Sequence, residues 1–263
     1  MKMPERRPRL EGKVAIVTGA GAQGAIMGNG KAVSILFARE GARVLLADLD
    51  EGRARETLEA IEAEGGEASV FAADVTKEKD CQALIEAAVE RFGRLDILHN
   101  NVGVNGPGSV VDVSEAEWHR IMQINLTSMF LTSKHAIPKM VEGGGGAVIN
   151  ISSISAIRPR GMTPYTVSKA GVVALTQAMA IDQAKDNIRV NCILPGPAYT
   201  SMVAGGMSSD IREIRRQASP LKVEGNSWDV AWAAVYLASD EARWVTGVVL
   251  PVDGGVTIDS PRR

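Results

Sequence analysis

The chain has 263 residues, of which 45% are hydrophobic and 23% are charged, and its formal net charge is -2. This length suits one α/β domain with a substantial buried core. The nearly balanced charge leaves no broad cationic surface for nucleic acid or an anionic membrane. The two cysteines and three histidines are scattered, without the spacing of a metal site or a disulfide framework. We therefore expect small-molecule partners, no metal and a cytoplasmic location.

The N-terminal segment MKMPERRPRL is basic, and it leads into a strand-like run rather than the apolar core of a signal peptide. No apolar run has the length of a membrane-spanning helix. Short runs rich in valine, isoleucine and leucine then alternate with helix-like stretches. Buried parallel strands are expected at 14–18, 43–48, 68–72, 95–99, 147–152, 188–194 and 248–252. Helices are expected at 31–40, 51–64, 78–92, 115–139, 164–185 and 227–239. This alternation predicts an α/β fold with a doubly wound parallel sheet and helices on both faces.

A glycine-rich turn follows the first strand in VTGAGAQGAIMGNG, and an amphipathic helix follows the turn. Such a turn lets backbone amides and a helix N-terminus approach a pyrophosphate. Asp48 ends the second strand, where a carboxylate accepts hydrogen bonds from both ribose hydroxyls of an adenosine and repels an added 2′-phosphate. The pattern favours NAD over NADP. Arg53 leaves room for NADP, and the alternative for Asp48 is a helix cap.

Polar residues also follow the third and fourth strands, at the edge of the sheet where ligands gather. Asp74, next to Val75 in AADVT, is either a contact for the adenine amino group or a cap for the next helix. Asn101 and Gly103 follow the fourth strand in HNNVG. We expect these four residues to belong to the cofactor site.

Tyr165 and Lys169 are four positions apart in PYTVSKAG, so a helix places them on one face. A phenol is a poor base at neutral pH unless a neighbouring cation favours its ionised form. The lysine supplies that cation. The alternative is an ordinary amphipathic helix with no catalytic role.

In chain order these motifs resemble those of the short-chain dehydrogenase/reductase family over residues 12–255. The matching segments are TGA, AADV, NNVG, INLTSMF, NISS, YTVSK, RVNCILPGP and VDGG. The resemblance implies a single Rossmann-type domain over 1–263 and hydride transfer between a nicotinamide cofactor and a carbon bearing a hydroxyl or carbonyl. Family members are commonly tetramers, and the helices at 115–139 and 164–185 are apolar on more than one face, so we expect a homotetramer.

The resemblance also implies the roles of individual residues. Tyr165 is the general base in alcohol oxidation or the general acid in ketone reduction, while Lys169 lowers its pKa and holds the nicotinamide ribose. A serine orients the substrate oxygen, and Asn125 positions the lysine through a water. The loop against the nicotinamide carboxamide contains Pro195, Gly196, Ala198 and Thr200.

The glycine-rich loop departs from the family pattern TGxxxGxG, because eight residues separate Gly19 from Gly28. We match Gly28 and Gly30 to the later glycines of the pattern, since the helix that follows then falls in register. Gly24 is an alternative for one of them, and Asn29 stands where an apolar residue is usual. Long loops of this kind resemble those of enoyl reductases in the same superfamily, which typically place tyrosine and lysine seven apart.

The serine is also ambiguous. Counting thirteen residues back from Tyr165 selects Ser152, whereas the NISS motif selects Ser153. We prefer Ser153, because strand register is harder to shift than loop length. Ser155 and Ser152 are alternatives, and each of these serines is otherwise expected to satisfy loop backbone groups.

The segment 199–226 is the predicted substrate lid. Its apolar residues at helical spacing suggest a flap over an apolar substrate, and its arginines indicate a solvated helix face or, alternatively, a carboxylate or phosphate site. Arg158 and Arg160 lie nearer the expected pocket than the arginines of the lid do. They either steer an anion or simply flank a loop.

We therefore predict an NAD-dependent oxidoreductase that acts on a small secondary alcohol or ketone. One alternative is an NADPH-dependent reductase of 3-oxoacyl thioesters. The other is a nucleotide-sensing or scaffolding protein that keeps the fold without catalysis.

Overall fold

Seven strands form one parallel sheet in the computed structural model, which describes residues 8–22 and 24–259. Most of the basic N-terminal segment therefore lies outside the described residues. The strands are β1 (Val14–Thr18), β2 (Arg43–Asp48), β3 (Ala68–Ala72), β4 (Ile97–Asn100), β5 (Gly146–Ile151), β6 (Ile188–Pro195) and β7 (Val249–Val252). Their order across the sheet is β3-β2-β1-β4-β5-β6-β7. The predicted doubly wound parallel sheet is confirmed.

Helices cover both faces of this sheet. The helices are α1 (Asn29–Arg39), α2 (Glu51–Glu62), α3 (Glu78–Phe92), α4 (Glu115–Met122), α5 (Ser128–Glu142), α6 (Thr163–Asp182), α7 (Ser201–Ala204), α8 (Ser209–Ala218) and α9 (Ser227–Ala238). One apolar cluster joins the sheet to α1, α2 and α9, and a second joins its other face to α3, α5 and α6. The described helices include none long and apolar enough to cross a membrane.

The continuous apolar runs form strands because both sides of each central strand are buried. In β1, Ala15 and Val17 belong to the first cluster, whereas Ile16 between them belongs to the second. Successive side chains of a strand point to opposite faces, so a strand covered by helices on both sides has no polar face. Removing these side chains from water is the main contribution to the stability of the sheet.

The predicted helix at 115–139 differs most from the observed structure. A π-helical turn, Gln123–Thr127, separates α4 from α5 and contains the buried Asn125. Single π-helical turns widen a helix locally and often mark functional sites. Hydrophobic periodicity does not reveal such a turn, because one widened turn barely changes the pattern of apolar residues.

The strand order reverses between β1 and β4, since β1 is followed in sequence by β2 on one side and pairs with β4 on the other. Loops diverge at the carboxyl ends of these two strands and leave a crevice. In open α/β sheets this reversal point is the usual place for a ligand.

Candidate active site

A cleft of about 600 Å³ opens at the reversal point. Its walls come from the residues that follow β1, β2, β3 and β4, together with the start of α1 and of α7. A smaller cavity of about 120 Å³ continues from it and contains Tyr165 and Lys169. Both spaces are lined by Asn29, Asn101, Gly103, Thr200 and Met202.

The first turn brings Gly19, Gly28 and Gly30 together. A Cβ atom on Gly30 would lie 1.9 Å from the carbonyl oxygen of Gly19, so only glycine permits this approach of α1 to the turn. Gly28 is the N-cap of α1 and leaves the first amides of that helix free for an anion. Gly24 has φ +69° and no atoms near its Cβ position, so it takes no part in this packing.

The long glycine-rich loop also contacts the segment predicted to be a lid. The carbonyl oxygen of Met27 accepts hydrogen bonds from the backbone N–H of Ser201 at 3.2 Å and from the hydroxyl of Ser227 at 2.9 Å. These two serines begin α7 and α9. Sequence reasoning missed them because nothing in their own neighbourhood indicates a partner 200 residues away.

Asp48 faces the cleft at the end of β2 with both carboxylate oxygens oriented by backbone amides. Oδ2 accepts from the N–H of Gly21 at 2.9 Å and Oδ1 from the N–H of Asp50 at 3.0 Å. The side chain of Asp50, not that of Asp48, caps α2. The guanidinium of Arg53 is drawn toward Asp50, with 3.1 Å between Nε and Oδ2.

Asp74 and Val75 line the same cleft. One carboxylate oxygen of Asp74 accepts from both the backbone N–H and the hydroxyl of Thr76, and these hydrogen bonds are the main reason why the pKa of Asp74 is lowered. The N-cap residue of α3 is Lys77, and its side chain makes no capping hydrogen bond. Asp74 precedes this residue and lies 3.3 Å from the ammonium of Lys77, so Asp74 is not itself the N-cap residue of α3.

Asn101 and Gly103 connect the cleft to the smaller cavity. The amide of Asn101 donates to the carbonyl oxygen of Gly19 at 3.1 Å, which ties the end of β4 to the glycine-rich turn. A Cβ on Gly103 would lie 3.1 Å from Nζ of Lys169 and 3.4 Å from Oδ1 of Asn125. Glycine at this position thus keeps the space beside the lysine open.

Tyr165 and Lys169 lie on the first turns of α6, where the lysine is buried and its Nζ is 5.9 Å from the centre of the tyrosine ring. The ammonium donates to the carbonyl oxygen of Ile151 at 3.0 Å. The smaller cavity around them also includes Ser153, Pro195, Gly196, Ala198 and Thr200.

The structure distinguishes the adjacent serines. The hydroxyl of Ser152 donates to the carbonyl oxygen of Lys169 at 2.7 Å, so it serves the backbone of α6. The hydroxyl of Ser153 accepts from the N–H of Ser155 at 3.1 Å, and Ser153 lies in one cavity with Tyr165, where it lowers the pKa of the phenol. Of these two serines, Ser153 is the one whose hydroxyl acts on the phenol of Tyr165.

Burial controls the ionisation of both groups. It raises the pKa of Tyr165 above its ordinary value, and the neighbouring hydroxyl of Ser153 opposes that rise. It lowers the pKa of Lys169 to about 8. The expectation that Lys169 lowers the pKa of the phenol is not met here, because the ammonium is directed at Ile151 rather than at the phenol oxygen.

Asn125 is fully buried in the π-helical turn. Its Oδ1 accepts from the backbone N–H of Val104 at 2.7 Å, and its amide donates to the carbonyl oxygen of Val104 and the hydroxyl of Ser168, each at 3.0 Å. The side chain therefore fixes the loop after β4 beside the lysine. No hydrogen bond joins it directly to Lys169 in the described part of the chain.

A glycine-lined cleft at a sheet reversal point, continuous with a Ser-Tyr-Lys cavity, defines a nicotinamide-dependent oxidoreductase. A family model described as enoyl-(acyl carrier protein) reductase matches residues 24–257. The chain is 39% identical over 251 residues to 2,5-dichloro-2,5-cyclohexadiene-1,4-diol dehydrogenase LinX of Sphingobium indicum, which covers 95% of this chain and 98% of that one.

Solved structures agree with this result. The crystal structure of a Burkholderia xenovorans protein described as a short-chain dehydrogenase/reductase has TM-score 0.92 and 41% identity, covering 97% of this chain and 100% of that one. A 7α-hydroxysteroid dehydrogenase complexed with NADH and 7-oxo glycochenodeoxycholic acid has TM-score 0.89 and 37% identity, covering 95% and 96%. The chain belongs to the short-chain dehydrogenase/reductase family. It is an NAD(P)-dependent oxidoreductase that acts on CH–OH groups.

Proposed function

We propose that this enzyme is an NAD-dependent dehydrogenase or reductase that interconverts a small secondary alcohol and its ketone, with Tyr165 as general acid and base. The observation that carries the proposal is that Ser153, Tyr165 and Lys169 line one small cavity, which is continuous with the large cleft. Two adjacent hydroxyls can both hydrogen-bond the oxygen of one substrate. The four-residue spacing of Tyr165 and Lys169 supports alcohol chemistry rather than enoyl reduction.

When bound, the nicotinamide supplies or accepts the hydride. At neutral pH the raised pKa keeps Tyr165 protonated, so the phenol can donate its proton to a carbonyl oxygen during reduction. In oxidation the ionised phenolate takes the proton of the alcohol. Ser153 holds the substrate oxygen in place beside the phenol, and Lys169, fixed by Ile151, lies next to the open space at Gly103 where a ribose fits.

The cofactor site that we propose follows the two connected spaces. The glycine turn and the free amides of α1 receive the diphosphate, because Gly30 permits the closest approach of the backbone. Asp48 receives the adenosine ribose. The other proposed contacts are Gly19, Gly28, Asp74, Val75, Asn101, Gly103, Tyr165, Lys169, Pro195, Gly196, Ala198 and Thr200.

We propose NAD rather than NADP because the oriented carboxylate of Asp48 repels a 2′-phosphate while Asp50 engages Arg53. We expect wild type to bind NADH more tightly than NADPH, and Asp48→Ala to weaken NADH binding and strengthen NADPH binding, each by about tenfold. Fluorescence titration of each nucleotide measures both affinities. Tighter NADPH binding by wild type would instead favour the NADPH-dependent 3-oxoacyl-thioester reductase.

Removing the phenol oxygen tests the catalytic role. We expect Tyr165→Phe to lower kcat by about a thousandfold, the order expected for a general acid–base group, while the Kd for NADH changes little. Absorbance of NADH during turnover of a panel of ketones measures the rate. Undiminished turnover would contradict the mechanism, and NADH binding without turnover of any substrate by wild type would support a nucleotide sensor.

We also propose that the chain forms one domain whose substrate lid is 199–226. This segment contains α7 and α8, and an isolated β-bridge between Tyr199 and Asn226 joins its two ends. A segment anchored at both ends in this way can move without disturbing the strands. A reducing cytoplasm suits the chain, because Cys81 and Cys192 are both unpaired.

A further inference from the structure

One arginine lies at the wall of the cavity that contains Tyr165, and a second, exposed arginine is close enough to influence its charge. Arg215 on α8 is half-buried and lines this cavity together with Ser153 and the tyrosine. It donates one hydrogen bond, from a terminal nitrogen to the carbonyl oxygen of Ala198 at 3.2 Å. Burial lowers the pKa of Arg215, and the positive charge of Arg160, in the loop before α6, lowers it further. The two guanidinium groups are thus near enough to repel each other.

No carboxylate balances this pair. Within 8–22 and 24–259, neither Arg215 nor Arg160 has a carboxylate oxygen within the 4.0 Å that defines an ion pair. Glu224 is the one acid whose charge acts on Arg215 in the described residues, and it is already bound by Nε and one terminal nitrogen of Arg212. Arg216, the next residue on α8, is likewise paired with Glu213.

A cation at a cavity wall that has no ion-pair partner, with a second cation near it, favours an anion there. A guanidinium carries five N–H donors in a planar fork that matches a carboxylate, and partial burial strengthens such a charge-assisted bond. The cavity is small, so a group held by Arg215 lies only a few bonds from a carbon beside Tyr165.

We propose that Arg215, with Arg160 beside it, binds a carboxylate of the substrate, so that small hydroxy acids and keto acids are preferred over neutral alcohols and ketones. This inference rests on the proposed function, because it takes the reacting carbon to lie at Tyr165. The other role open to Arg215 is purely structural: its bond to Ala198 holds α8 against the loop after β6. A structural role affects charged and neutral substrates alike, whereas a carboxylate site affects only the charged ones.

The test compares the reduction of pyruvate, 3-oxobutanoate, 4-oxopentanoate and 5-oxohexanoate with that of their methyl esters, using NADH absorbance. We expect at least one acid to exceed its ester in kcat/KM by about tenfold or more, the value of one charge-assisted hydrogen bond. Arg215→Met should remove that preference, because it lowers kcat/KM for the acid more than for its ester. The matched control, Arg216→Met, alters an already paired arginine one position along the helix and should keep the preference.

Esters that equal or exceed their acids throughout the series would overturn the proposal and leave the proposed function standing, as would an equal loss for acid and ester in Arg215→Met. If wild type reduces none of these compounds, the proposed function fails for small ketones. Saturation-transfer NMR then measures binding of the same four acids to the enzyme–NADH complex, and this binding tests whether Arg215 forms an anion site. Binding that Arg215→Met abolishes supports the site, and no binding, or binding equal in the variant, overturns it.

Discussion

The buried ammonium of Lys169 in the catalytic cavity lowers the stability of the folded protein. Lys169 is almost completely removed from water, and its one recorded bond goes to the carbonyl oxygen of Ile151. Its pKa falls to about 8 because burial disfavours the charged form. Since the unfolded chain holds this proton up to about pH 10.4, the unfolded state binds more protons between the two values. Stability therefore rises with pH through that window.

We predict that Lys169→Met destabilises the protein more at pH 10 than at pH 7.5. Below pH 8 the variant loses a hydrogen bond but also escapes the cost of a buried charge, roughly 3 kcal/mol for a shift of this size. As pH rises the wild-type lysine becomes neutral in the folded state and that cost disappears. Urea unfolding of the cofactor-free proteins at both pH values measures the difference. Lys139→Met, on the surface of α5, is the control, and a difference that stays constant or shrinks with pH contradicts the interpretation.

The order of the motifs predicts which residues form the site, but it does not predict what those residues contact. Tyr165 and Lys169 lie together as a four-residue helical spacing requires. Ser153 could be chosen only by aligning a motif, because the direction of a hydroxyl at a strand end depends on how the strand meets the next turn. The pKa of Tyr165 could not be predicted at all, because it depends on burial and on where the ammonium of Lys169 points.

At the level of elements, the enlarged glycine-rich loop connects three parts of the site. The carbonyl oxygen of Met27 accepts from Ser201 at the start of α7 and from Ser227 at the start of α9. One carbonyl oxygen therefore connects the loop to the proposed lid and to a core helix. Sequence reasoning identified the loop as unusual but not its partners, since long-range hydrogen bonds leave no local pattern. It did predict the strands and most helices, because their apolar periodicity reflects burial directly.

We predict that Ser227→Ala weakens NADH binding severalfold and lowers stability by about 1 kcal/mol, the value of a typical buried hydrogen bond. We expect both effects because the glycine-rich loop beside the cofactor cleft loses one of the two hydrogen bonds that the carbonyl oxygen of Met27 accepts. Fluorescence titration and urea unfolding measure the two effects. Ser239→Ala is a matched control, because Ser239 is equally buried just after the end of α9 and donates to the carbonyl oxygen of Tyr236 at 2.8 Å. It should lose similar stability with unchanged NADH affinity, and equal affinities in both variants would show that the Met27 contact does not support the site.

At the scale of the whole molecule, two groups of elements, among other places, carry large exposed apolar side chains. On and after α9, Trp232 is 50% exposed and Trp244 is 91% exposed. On α5 and α6, Phe130 and Ile181 are 49% and 80% exposed. The sequence predicted apolar outer faces for the second group alone, because the tryptophans at 232 and 244 are too far apart to form a periodic pattern. Exposed apolar side chains that are grouped on a surface often mark a site of interaction with another molecule.

Two separate apolar surfaces on one chain predict a closed tetramer, because each surface can form its own two-fold interface and two such interfaces generate a dimer of dimers. We expect light scattering after size-exclusion chromatography to give about four times the chain mass for wild type. Trp232→Lys combined with Trp244→Lys should leave dimers, since the α5 and α6 surface is untouched and a buried lysine opposes the other interface. Val111→Lys, in the exposed loop before α4, adds charge outside both surfaces and should remain tetrameric. A wild-type monomer, or a tetramer in the double variant, would show that these tryptophans do not lie in an interface between copies of this chain.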